Sequence, residues 1–102
     1  MDKEKLLYID DIRQPPHILI NQFDVIKVTN YINAITELQT CNFDYIDLDH
    51  DLGEEKTGYD ICKFIVEDEL TQCGYIILHT QNPVGMANMK QLLSHYGYAV
   101  YS

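Results

Sequence analysis

The sequence predicts an α/β domain with a mostly parallel sheet, and three observations carry that expectation. Apolar runs of strand length recur along the chain: Leu6-Leu7-Tyr8-Ile9, Tyr45 to Leu48, and Tyr75-Ile76-Ile77-Leu78. Segments with helical spacing lie between the later runs. Each run also stops abruptly at polar residues. Strands that alternate with helices imply a sheet covered on both faces.

The first run ends at Asp10-Asp11. Pro15-Pro16 follows and favours extended chain, so a loop is expected where a first helix would normally stand. Asp24 to Val28 reads as the second strand. Thr29 or Asn30 caps a helix whose apolar positions Ile32, Ile35 and Leu38 share one face. The third strand, Tyr45 to Leu48, ends in Asp49-His50-Asp51, and Gly53 and Gly58 bracket a polar loop. The next helix carries Tyr59, Cys62, Ile65/Val66 and Glu69 at spacings of three or four. Gly74 punctuates before the fourth strand, Tyr75 to Leu78. Asn82-Pro83 is an N-cap followed by a first-turn proline, and Met89, Leu92, Leu93 and Tyr96 are expected toward the core. Gly97 suits the C′ position, and Tyr98 to Tyr101 forms a closing strand. The order is β, β, α, β, α, β, α, β.

The 102 residues fit one domain, 1–102. Sixteen acidic against seven basic residues give a net charge of −9, which argues against non-specific nucleic-acid binding. A small phosphorylated ligand or an RNA end remains compatible, because it needs only local donors. Cys41, Cys62 and Cys73 are odd in number and form no CxxC pair, as expected of reduced thiols. No apolar run reaches membrane-span length and no signal peptide is seen, so the expected location is cytoplasmic, with no membrane partner.

In open α/β sheets, ligands bind beyond the carboxyl ends of the strands, where strand order reverses. For a five-stranded 2-1-3-4-5 order that crevice lies between the first and third strands. Asp10-Asp11, Asp49-His50-Asp51 and His79 all stand at such ends. Asp47 lies further inside and suits a hydrogen-bonded structural carboxylate. His17 is expected in the loop, and His95 is placed to meet a helix dipole. His79 closes an apolar strand beside the Asn82-Pro83 helix start. The amides around Val84 and Gly85 there offer an anion site, with Gly85 allowing close approach of a ligand.

The frame Leu7-Tyr8-Ile9-Asp10-Asp11, then Asp44-Tyr45-Ile46-Asp47-Leu48-Asp49, then Gly58, resembles the receiver domain of response regulators over nearly the whole chain. That resemblance implies magnesium at Asp10 and Asp11 and a phosphoryl acceptor at Asp49. Two departures stand out. His79 occupies or adjoins the place of the receiver's threonine or serine, and no lysine follows the fifth strand. A closer resemblance is to cyclic-phosphate-processing receiver domains. Its motifs are Asp10-Asp11-Ile12-Arg13, Leu48-Asp49-His50-Asp51-Leu52-Gly53 and His79-Thr80-Gln81-Asn82-Pro83.

That family implies a phosphoesterase acting on a cyclic phosphate or related nucleotide phosphodiester. His50 and His79 would share acid–base work, because histidine titrates near neutral pH. Asp49 and Asp51 would orient His50, while Arg13, Asn82 and Gly85 would help hold the substrate. Two alternatives stand beside it. One is a metal-dependent phosphatase with Mg²⁺ or Mn²⁺ on Asp10, Asp11 and Asp49. The other is a degenerate receiver that binds a nucleotide or partner protein without turnover.

Overall fold

The computed structural model describes residues 3–68 and 74–102. Glu69 and Cys73 lie outside the described residues. Five parallel strands form one sheet in the order β2-β1-β3-β4-β5. They are β1 (Lys5–Ile9), β2 (Asp24–Val28), β3 (Tyr45–Leu48), β4 (Tyr75–Leu78) and β5 (Ala99–Tyr101). The helices are α1 (His17–Gln22), α2 (Tyr31–Thr40), α3 (Gly58–Glu67) and α4 (Pro83–His95).

Topology assigns the helices to faces. Right-handed crossovers are the rule for parallel strands. The step from β1 to β2 runs one way along the sheet, and the later steps run the other way. α1 therefore falls on one face, and α2, α3 and α4 on the opposite one. The three-helix face holds the main core: Leu7, Ile9, Ile46, Leu48, Ile76 and Leu78 pack against Ala34, Leu38, Ile61, Ile65, Met89 and Leu93. The other face is thinly covered, since α1 has six residues, buries none of them and packs beside β2.

The expected loop after β1 is corrected by this short helix. Proline restricts the residue before it, not the one after. Pro16 thus serves as the N-cap of α1, and its carbonyl accepts from the Leu19 and Ile20 amides. His17 opens this helix rather than lying in a loop. The face of α2 is also corrected. Ala34 and Leu38 are buried, whereas Ile32 is 67% exposed. On α4, Met89 and Leu93 are buried, but Tyr96 is exposed. Two start signals form as expected: Asn30 accepts from Asn33 N, and Asn82 caps α4 ahead of Pro83. The start of α3 adds a capping box of Thr57 and Asp60. Among the described residues, no helix is long and apolar enough to cross a membrane.

Candidate functional site

Strand register brings the site together. Tyr8 pairs with Asp47, and Asp47 with Ile77. Side chains on one sheet face repeat every second residue. The next row on that face is therefore Asp10, Asp49 and His79, at the carboxyl edge of three adjacent strands. Backbone bonds extend the ladder to this row: Asp49 N donates to Ile9 O and His79 N to Leu48 O, each at 3.0 Å. One donor atom from each of Asp10, Asp49 and His79 lies within 4.8 Å of the others.

His79 is the most constrained member. Its Nδ1 meets the Asp47 carboxylate, and its Nε2 lies 2.9 Å from Asp10 Oδ2. Its ring stacks on Tyr8, with centroids 4.9 Å apart. An ionised carboxylate only accepts, so carboxylates at both nitrogens favour the doubly protonated ring. Burial opposes that charge, but Asp47 and Asp10 outweigh it and hold the histidine above its ordinary value.

The two edge carboxylates are pushed apart. Burial raises Asp10, yet the amides of Arg13 and Ile12 (both 2.9 Å to Oδ1) and His79 outweigh it and hold Asp10 low. Burial raises Asp49, and the nearby Asp10 charge adds to it, against hydrogen bonds from Thr80 and the His50 amide. Burial and the same acids push Tyr8 up to about 12.

His50 stands in a different setting. The ring lies over the first turn of α4, where a Cβ on Gly85 would come within 2.5 Å of its Cγ and Cδ2. Its Nδ1 is 2.9 Å from Asp51 Oδ1 and 3.4 Å from Asn82 Nδ2. The shorter contact is to an acceptor, which assigns the proton to Nδ1 and leaves Nε2 with its lone pair. Gly58 keeps the β3–α3 loop tight, as a Cβ there would run into the Asp49 carbonyl.

The other expected residues are placed as follows. Asp51 meets the His50 ring, whereas Asp49 meets His50 only at its backbone amide. Asp11 is not in the converging trio: its carboxylate rests against the left-handed turn at Gly53, 2.7 Å from where a Cβ would stand. The anion cradle at α4 is partly spent, since Gly85 N donates to Asn82 Oδ1 at 3.0 Å. The close approach allowed by Gly85 is used by the His50 ring. Arg13 is exposed and joined to the site through its backbone. Tyr8 and Thr80 were not singled out by sequence reasoning as site residues. Tyr8 shares the parity of Asp10, which is the signal that would have found it.

A divalent cation fits this donor set once His79 gives up its Nε2 proton, since only a neutral imidazole binds metal. Two carboxylates and an imidazole converge, and Asp47 behind Nδ1 supplies the partner that metal-binding histidines typically have. One imidazole among oxygens suits Mn²⁺ better than Mg²⁺.

No curated protein matches the sequence. Solved structures do. A response regulator from Burkholderia pseudomallei, with a phosphorylated aspartic acid, calcium ion and citrate, is similar at a TM-score of 0.70 and 16% identity. The match covers 97% of this chain and 58% of that one. The response regulator TrrA from Thermotoga maritima, in complex with Mg²⁺-BeF, gives 0.70 and 17% over 97% of this chain and 86% of that one. A CheY-like receiver domain from Methylobacillus flagellatus gives 0.74 and 12% over 98% and 85%. At such identities these likenesses establish the receiver fold. The narrower assignment rests on the model of the cyclic-phosphate processing receiver domain, which matches residues 5–95, and the chain belongs to that family.

Proposed function

We propose that this domain is a phosphoesterase that opens a cyclic phosphate or related nucleotide phosphodiester at the carboxyl edge of the sheet. The observation that carries the reading is the His79 ring, anchored by Asp47, whose Nε2 edge closes the Asp10–Asp49 pair. Because both nitrogens of His79 are engaged, its role shifts from proton transfer to anchoring. Asp10, Asp49 and, with its Nε2 proton displaced, His79 would hold a divalent cation, which would polarise the phosphate and offset its developing charge. His50 is the proton acceptor. Asp51 fixes its tautomer, and Nε2 takes the proton of the attacking water. The bond from phosphorus to one ribose oxygen breaks, and that oxygen takes a proton from solvent at the open edge. Burial of Asp10 and Asp47 fixes the framework before substrate arrives.

The test is hydrolysis of a nucleoside 2′,3′-cyclic phosphate before and after exhaustive chelation. Chelation is expected to abolish turnover and Mn²⁺ to restore it. His50→Ala is expected to lower kcat by about 10²- to 10⁴-fold. Turnover that survives chelation, or full activity in His50→Ala, would overturn the reading. A second reading has its own observation. A histidine held at both nitrogens also suits a structural cation inside a non-catalytic binding domain. Calorimetry showing tight binding of an unaltered cyclic nucleotide, with no turnover in any divalent cation, would favour it.

A further inference from the structure

The thinly covered sheet face carries a row of aromatic rings. Phe23, Tyr45, Tyr75 and Tyr101 follow one another with centroid separations of 5.0, 5.3 and 5.7 Å. Tyr75 and Tyr101 are 42% and 55% exposed. Register explains the row. Tyr45 pairs with Tyr75, and Tyr101 pairs with Ile77, one step further along the same face. The ladder shares that face with the candidate site. Tyr45, Asp47 and Asp49 alternate along β3, and Tyr75, Ile77 and His79 continue the pattern from β4. Four residues of strand separate the ladder from the acidic edge, about 13 Å.

The Phe23 end of the ladder opens into a cleft of about 780 Å³ whose lining includes Lys3, Lys5, Lys27 and Gln14. Three of the seven basic residues of a chain with net charge −9 are thus gathered in one cleft. Lys27 also donates to the Arg13 carbonyl, which ties the cleft to the loop after Asp10.

We infer that this face is a stacking platform for single-stranded RNA whose 3′ end enters the candidate site. This rests on the proposed phosphoesterase reading and narrows its substrate from a mononucleotide to a strand end. A five-membered cyclic phosphate forms across a ribose cis-diol, so the strand is RNA. Exposed rings on a sheet take bases, and the lysine cleft takes backbone phosphates. An aliphatic partner surface would have no use for the lysines. Asp24 shares the cleft, and Glu4 and Asp44 act on Tyr45, so stacking supplies more of the affinity than charge does. With three lysines on phosphates, log K should fall against log salt with a slope of only about −2.

The test is fluorescence anisotropy with a labelled octanucleotide RNA ending in a plain 3′-hydroxyl, so that binding is read without turnover. The full chain is expected to bind it. Tyr75→Ala with Tyr101→Ala is expected to weaken binding about tenfold or more, while circular dichroism shows the fold retained. The same pair should leave hydrolysis of a mononucleotide cyclic phosphate unaltered. Undiminished binding in the double variant overturns the inference. So does a dimer in sedimentation that the double variant dissolves, because the face would then belong to a second copy. RNA binding without hydrolysis removes the phosphoesterase reading and leaves the platform. Hydrolysis of the mononucleotide without RNA binding does the reverse.

Discussion

His79 and His50 stand at neighbouring strand ends, yet the fold treats them in opposite ways. His79 is held at both nitrogens by buried carboxylates and stacked on Tyr8. The His50 ring meets one carboxylate, Asp51, through Nδ1, and its main support is the space left by a missing side chain at Gly85. The first is an integral part of the sheet edge. The second is a side chain set on a helix start. The two histidines therefore divide into a firmly anchored ring and a lightly held one. The division follows from how many partners each ring meets, not from residue type.

Removing the anchor should have the largest effect on stability. His79→Ala leaves the Asp10 and Asp47 carboxylates buried without their cation, a loss of about 3 kcal/mol. Urea denaturation reads it directly. His50→Ala should cost far less, and equal losses for the two would erase the contrast.

The pH dependence sharpens the comparison next. His79 is held above its ordinary value of 6.5, so its contribution is complete below that pH and is lost as pH rises through the folded value. Asp10 is held below 3.8, so its contribution is present above that value and is lost as pH falls through the lower folded one. With a chelator present, the thermal midpoint should therefore decline above about pH 6.5, and His79→Gln should flatten that decline. A wild-type midpoint that stays level from pH 6.5 to 9 would remove the anchor assignment.

Asn82→Ala removes the α4 cap and one neighbour of the His50 ring, for about 1 kcal/mol. Gly85→Ala should have a net effect on stability of the same order. Overpacking against His50 costs about 1–3 kcal/mol, and the better helix former returns up to about 1. Its effect on turnover should be far larger than its effect on the midpoint, since the ring must leave its place. A Gly85→Ala protein with wild-type kcat would show that His50 position is not what the site uses.

Much of this arrangement was legible along the chain. The apolar runs marked the strands, the capping residues marked the starts of α2 and α4, and the polar stops marked the edge where Asp10, Asp49 and His79 meet. The short helix α1 was hidden because six residues that bury nothing leave no apolar period to detect. The face of α2 was misread because a small residue, Ala34, takes the buried position while the larger Ile32 stays in solvent.

By itself, the sequence determined the strand order class, the three-segment origin of the site and the identity of its acids and histidines. These depend on local pattern and on the strand parity that every sheet obeys. Only the tertiary structure decided that Asp47 belongs to His79, that Asp11 rests against Gly53, and that the His50 ring lies over Gly85. Those outcomes depend on register between strands and on the approach of a helix to a loop. Both are set by packing over distances of more than thirty residues along the chain, as in the pairing of His79 with Asp47. Local sequence patterns do not encode such distances.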